Sequence, residues 1–345
     1  GAEESAEQLR LRADRLRLTA PELEVWSGTE LNDLLRVLDT AGPAAVIVDS
    51  LQALTIDSSS TQPGAVSQIK EICDALTGWA HSCNAINVLI AHVTKDGGIA
   101  GPKAIEHMVD VVLYFESGSA ELRFLRSTKN RFGPVEEVAI FEMTRQGLQN
   151  LRDPSSRLVE HANDQRPPPG VMVAAVYEGS RVICVEVQAL VVPAQRTNPR
   201  IVSDRIDVGR VARIAAVLQR SVQIPFLDND IYVNVAGGMR LRDVAADLPI
   251  ALAIYSSRTE HTPATTIASF GEITLAGEVR RAIGSERRLH AAKELGIRRV
   301  LAPGPLPNRR EEGWHEVRDL SQAVCDAVLP AGVTGTAVSR AAATR

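Results

Sequence analysis

A short, unbroken apolar run closed by a carboxylate, Ala45-Val46-Ile47-Val48-Asp49, constrains this chain more than any other stretch. Such a run leaves no polar face for solvent, so it fits a strand covered on both sides, as in a parallel sheet flanked by helices. Asp49 then falls at the carboxyl edge of that sheet, where open α/β folds keep their ligands. A second run, Asn87-Val88-Leu89-Ile90-Ala91, ends in His92. Between the two, the spacing predicts a helix from about Val66 to Ala80, with Ile69, Ile72, Cys73, Leu76 and Trp79 on its buried face. Trp79 reads as core and not as a stacking platform. Upstream, Ser5 and Gln8 form a Ser-x-x-Gln capping box that opens an amphipathic helix to about Arg17. Leu23–Trp26 reads as a short strand, and Thr29 as the cap of a helix with Leu31, Leu34, Leu35 and Leu38 on one face, stopped by Gly42-Pro43. The fold class expected is α/β.

Further along, Leu122 to Thr128 alternates apolar and polar residues as a half-buried strand does, and it delivers Lys129 and Arg131 at its exit, just before Gly133-Pro134 turns the chain. Arg offers a planar fork of donors and Lys a compact charge, so the pair suits a phosphate; the bland alternative is a solvated strand end. The segment Thr94–Lys103 is rich in glycine and carries Lys95 and Lys103. Its amides and lysines suit the phosphates of single-stranded DNA, and otherwise it joins a strand to a helix. It holds no aromatic residue, so contact to the backbone and weak sequence preference are expected. Glu106 and His107 are placed on a short helix after this loop, supporting its geometry, before the strand Val111–Phe115. Glu137–Met143 and Leu148–Leu151 read as a hairpin about Gly147.

With 345 residues the chain has room for two domains, and its net charge of −4 gives no global drive toward nucleic acid or membrane, so any DNA contact has to be local. Cys73, Cys83, Cys184 and Cys325 show no C-x-x-C spacing. Neither a zinc site nor a disulfide framework is indicated, and the four read as reduced core thiols of a cytoplasmic protein. No apolar run is long enough to cross a bilayer. The phosphate-binding pattern G-x-x-x-x-G-K-[ST] occurs nowhere.

From Asp153 to Gly170 the chain turns polar and proline-rich, with Pro167-Pro168-Pro169 as a stiff spacer. The expected organisation is a first domain over 1–152, a linker over 153–170, a second domain over 171–330 and a disordered tail over 331–345. In the second domain, runs at Val171–Tyr177 and Val182–Ala189 precede a basic loop with Arg196, Arg200, Arg205 and Arg210, either a solvated face or part of a DNA path. A helix near Val211–Arg220, the strand Ile231–Val235, Gly237-Gly238, an apolar helix from about Val244 to Tyr255, a strand before Gly271, a helix Ser285–Leu295 and the run Val300–Pro303 complete an α/β alternation.

The block Lys129-Asn130-Arg131-Phe132-Gly133 resembles the signature of the bacterial RadA (Sms) family, RecA-like ATPases of DNA recombination and repair. The resemblance extends over Glu3–Gln8, Val46–Gln52, His92–Lys95, Gly101-Pro102, Glu106–Asp110 and Tyr232–Gly238. It implies a RecA-like, mostly parallel sheet core followed by a Lon-protease-like (ribosomal protein S5 domain 2-like) α/β domain. ATP and magnesium are the implied cofactors, with Asp49 holding the ion through water and His92 sensing the γ-phosphate. Glu3 would orient the attacking water, or else belongs to an acidic turn. Lys129 and Arg131 would complete a neighbouring subunit's nucleotide site as an arginine finger does, while Lys95, Gly101 and Lys103 would lie on DNA. In the Lon-like comparison the serine position is Ala245 and the lysine position Glu286, which removes nucleophile and base and argues against a peptidase. Implied partners are single-stranded DNA, recombination intermediates, RecA and further copies in a hexameric ring acting in branch migration. The family carries a phosphate loop and a zinc module upstream of where this sequence starts, so a truncated version or a removed segment is implied, inactive alone. The alternative is a catalytically silent DNA-binding or ring-scaffolding protein.

Overall fold

The computed structural model describes residues 4–56, 64–92, 101–118, 121–135, 137–162, 166–195, 198–226, 228–263, 265–304 and 312–328. Glu3, Lys95, Arg196 and the expected tail over 331–345 lie outside them. Two compact units result: one gathers the chain up to Tyr114 with Ser127–Val135 and Met143–Leu148, the other Phe115–Arg126, Glu136–Glu142 and the chain from Gln149 onward.

In the first unit α1 (Ala6–Arg15) starts at the Ser5–Gln8 capping box, both of whose reciprocal bonds form. Then come α2 (Leu31–Ala41), β1 (Ala45–Asp49), α3 (Val66–Cys83), β2 (Ile86–Ile90) and α4 (Gly101–Ile105). The apolar periodicity of α2 and α3 works as expected: Leu31, Leu34 and Leu38 meet Ile69, Ile72, Cys73, Leu76 and Trp79 in one core. Trp79 is part of it, its indole N–H donating to Asp39 Oδ1 at 2.9 Å. Gly42 ends α2 at φ +57, a left-handed conformation that glycine adopts without steric cost. Strands β1 and β2 run parallel, Ala45 opposite Ile86 through Asp49 opposite Ile90. Val46, Val48 and Leu89 pack on the helical core. The alternate residues Ile47, Ile86, Val88 and Ile90 are exposed, Ile47 at 65% and Ile86 at 66%, so the pair is covered on one face and not on two as expected.

Two local expectations fail here. Leu23–Trp26 forms no strand; the pairing falls later, at an isolated bridge between Glu30 and Thr55. The Thr29 carbonyl accepts from the Thr55 N–H and hydroxyl, and α2 begins one residue later than expected, so its cap is the extended Glu30, whose side chain accepts from the Asp33 N–H. Farther on, β3 (Val111–Ser117), β4 (Leu122–Asn130), β5 (Val138–Thr144) and β6 (Gly147–Asn150) form a four-stranded sheet in that order. β4 and β5 are antiparallel, and Gly147, at φ +101, makes the expected turn into β6.

The second unit begins earlier than the proline-rich composition suggests. Helix α5 (Ser155–Leu158) buries Ser155 and Leu158, the Ser155 hydroxyl accepts from the Cys184 N–H at 3.1 Å, and the N–H groups of Glu160 and His161 donate to Glu186. Residues 153–162, expected as spacer, are thus packed, because Leu158 and Val159 supply apolar surface and their neighbours find buried acceptors. The rest follows as β7 (Val171–Glu178), β8 (Arg181–Pro193), β9 (Ile201–Ser203), α6 (Val208–Val222), β10 (Asn229–Val235), α7 (Asp247–Thr259), β11 (Ile267–Ser269), β12 (Glu272–Ile273), β13 (Val279–Arg280), α8 (Ser285–Glu294), β14 (Arg299–Ala302), β15 (Trp314–Glu316) and α9 (Leu320–Val328). Seven strands make one mixed sheet in the order β15-β14-β11-β7-β8-β10-β9. Both faces of it are covered: Met172, Ala174 and Val176 of β7 pack with α6, α7 and α9, while Val173 and Ala175 pack with Leu289 and Ala292 of α8. This accounts for the near-continuous apolar reading of β7. The whole is an α/β fold of the RecA-like and Lon-like kind. Among the described residues no helix is long and apolar enough to cross a membrane.

Candidate functional site

Asp49 is the last residue of β1 and its side chain is exposed at the carboxyl edge of the strand. Its register partner is Ile90, so His92, two residues farther on and also exposed, leaves the same edge from the neighbouring strand. The short 3-10 turn Leu51–Ala53 after β1 ties the two strand exits together: Gln52 Nε2 donates to the His92 carbonyl at 3.3 Å. Gln52 Oε1 is buried and finds no hydrogen-bond partner among the described residues. Among the described residues no group of three His, Cys, Asp or Glu could hold a metal ion. What the edge does offer is one carboxylate, which suits a magnesium ion that keeps most of its water.

The exit of β4 is more heavily built than its sequence suggests. Lys129 Nζ donates to the carbonyls of Glu106, His107 and Val109 at 2.8, 3.3 and 2.7 Å. Arg131 Nη1 donates to Asp110 Oδ1 at 2.9 Å, and the Arg131 N–H donates to the Asp110 carbonyl at 3.1 Å. The Tyr114 hydroxyl donates to Glu106 Oε1 at 2.7 Å. That hydrogen bond, with burial and the charge of Glu106, pushes the Tyr114 phenol up to about 12. Asn130 closes the turn from both sides, accepting from the Phe132 N–H and donating to the Pro134 carbonyl. Of the two cations expected to point outward, Arg131 is exposed and paired to a half-exposed carboxylate, and Lys129 is half-buried and bound to its own chain. A lysine with three carbonyl partners within reach is more stable there than in water, which is why the outward reading of Lys129 fails. Glu106 and His107 lie in the turn after α4, not on the helix, and Lys103 stands exposed on α4 beside Gly101.

In the second unit Ala245 is fully buried in the short turn Val244–Ala246, its N–H donating to Asp243 Oδ1 at 2.9 Å, and Glu286 is exposed in the first turn of α8. Arginines, missed by sequence reasoning, dominate this region. Arg288, 2% exposed, pairs with Asp243 at 2.7 Å, donates to the carbonyls of Ala175 and Ile283, and lies 4.7 Å over the Tyr177 ring. Arg210, expected on a basic surface loop, is instead buried on α6, donating to Asp247 at 2.6 Å and to the carbonyls of Leu241 and Asp243. Arg126 is buried between Glu116 and Glu178. It shares the inward parity of Leu122 and Phe124 on β4, a signal that was available in the alternating run. Of the cysteines, Cys73 and Cys184 are buried as expected while Cys83 is exposed, and all four are free.

Residues 208–305, all within the second unit, match the family described as subunit ChlI of Mg-chelatase. Over 302 residues the chain is 44% identical to the DNA repair protein RadA of Treponema pallidum, a match covering 87% of this chain and 66% of that protein. It is 40% identical over 320 residues to DNA repair protein RadA of Brucella abortus, covering 91% and 67%, and 36% identical over 327 residues to that of Escherichia coli, covering 93% and 70%. The chain therefore spans about two thirds of the length of these relatives.

Proposed function

Because this chain belongs to the RadA family of DNA repair proteins, we propose that it forms the core of an ATP-driven translocase on single-stranded DNA, acting with RecA in branch migration of recombination intermediates. The observation that carries the reading is the edge at which Asp49 and His92 leave adjacent parallel strands, with Gln52 linking them. Asp49 would hold hydrated magnesium and His92 would sense the γ-phosphate. Glu3, outside the described residues, is proposed to orient the attacking water. When bound, ATP and its magnesium would supply the phosphoryl group and neutralise its charge.

Arg131 is the residue proposed to act in trans. Its ion pair with Asp110 is exposed, and such pairs are worth little, so the guanidinium can exchange that carboxylate for a neighbour's γ-phosphate. Lys129 assists from inside its own chain. Lys95, Gly101 and Lys103 are proposed to follow the DNA backbone, and a closed ring of six copies in the cytoplasm is the proposed working form. The test is turnover in a version that includes a phosphate-binding segment: Arg131→Ala should lower DNA-stimulated hydrolysis by roughly a thousandfold, the scale of an arginine finger, with nucleotide affinity unchanged. Equal turnover in the mutant removes the trans role.

A second reading, a ring scaffold or DNA-binding protein without chemistry of its own, is favoured by one observation: Lys129 and Arg131 both bond to residues 106–110 of their own chain. Calorimetric titration with ATP and magnesium, on this chain and on a version carrying a phosphate-binding segment, separates the two, since the scaffold reading expects no heat of binding from either.

A further inference from the structure

Three segments meet at one small turn. Residues 106–110 join α4, which carries Lys103, to β3, and they are held from the side by β3 and by the exit of β4. Tyr114 holds the Glu106 carboxylate, Lys129 gathers the carbonyls of Glu106, His107 and Val109, and Arg131 takes both the side chain and the carbonyl of Asp110. Ile105 at the end of α4 is buried in the core of the first unit and Met108 and Val109 pack against that core, while the polar side of the turn is held by Lys129 and Arg131. An ammonium with three acceptors in place has little left to offer a phosphate, whether of a nucleotide or of a nucleic acid.

We propose that Lys129 is a positioning residue for nucleic-acid binding: it fixes the turn after α4 to the exit of β4, so that Lys103 on one side and Arg131 on the other are held as one rigid piece. This rests on the reading of Lys103 as a DNA contact, and it adds what that reading lacks, a physical link from the DNA side to the cation that serves a neighbour. Lys129 then influences phosphate binding without touching phosphate. Charge alone predicts the opposite, a direct contact.

Salt separates the two. For single strands, each phosphate neutralised contributes about 0.7 to the slope of log affinity against log salt. Titrating a fluorescent oligothymidylate with the 345-residue chain over a range of salt, Lys103→Ala should reduce the slope by about 0.7. If Lys103→Ala changes nothing, the DNA reading itself fails. Lys129→Ala should weaken binding roughly tenfold, the scale of lost charge-assisted hydrogen bonds, with the slope unchanged. Lys129→Arg, which can donate to the same carbonyls, should recover most of the affinity, and Tyr114→Phe, which alters no charge, should weaken binding in the same slope-neutral way. Hydrogen exchange read on the same proteins should quicken at residues 105–110 in Lys129→Ala and stay unchanged in α3, which excludes general unfolding. A slope reduced by Lys129→Ala with exchange unchanged means direct phosphate contact and overturns the proposal. Faster exchange with DNA affinity untouched overturns it too, because the bracket would then not serve binding.

Discussion

Arg288 shows how much of the second unit rests on single side chains. It is almost wholly enclosed, and its guanidinium neutralises Asp243 while the Tyr177 ring covers one face. Arg288→Met would keep the volume and strand the Asp243 carboxylate, so a loss of about 3–5 kcal/mol is expected in urea unfolding followed by circular dichroism. Tyr114 offers a sharper readout in the first unit. Its pKa lies above the ordinary phenol value because the neutral hydroxyl donates to Glu106, so its contribution to stability is complete below the ordinary value and is lost as pH rises toward 12. Absorbance at the phenolate band, with Tyr114→Phe as the blank, should show titration near 12, and Glu106→Gln should bring it back toward about 10. A phenol that titrates normally in the unmutated chain would mean the Glu106 bond does not form in solution. The positions of Asp49, His92 and Arg131 at strand exits were legible, because each closes or closely follows a strand that the sequence marks clearly. The bonding of Lys129 was not, since its acceptors lie some twenty residues back and come together only once the turn at 106–110 has closed.

At the scale of elements, local chemistry carried most of the information. The capping box at Ser5, the leucine stripe of α2, the buried face of α3 and the turn at Gly147 all follow from spacings of three, four or two residues, and the structure repeats them. Gly42→Ala tests one of these: nothing crowds a Cβ there, so the expected loss of about 1–2 kcal/mol in thermal unfolding comes from the left-handed backbone alone. Leu76→Ala, at a fully buried position of α3, should cost roughly 2–5 kcal/mol by the same measurement. What composition misread was α5. Polar and proline-rich neighbours pointed to a spacer, yet Leu158 finds a core and the Ser155 hydroxyl accepts from the Cys184 N–H of β8, contacts made with residues far along the chain that no local window holds. The failed strand at Leu23–Trp26 has the same origin, a partner chosen elsewhere, at Thr55.

For the molecule as a whole, a net charge of −4 means that any DNA contact has to be local, carried by cations that the fold leaves exposed. Arg210, Arg126 and Arg288 are not among them, since each is buried against a carboxylate. The aliphatic side of β1 and β2 shapes behaviour in the tube. Ile47, Ile86, Val88 and Ile90 give a purified sample something of the character of a detergent: it should brighten the dye ANS, coat plastic, and scatter more light as it is concentrated or warmed. Replacing Val88 with Lys should delay that clouding while leaving the unfolding temperature nearly where it was, a pairing of results that ordinary misfolding would not give.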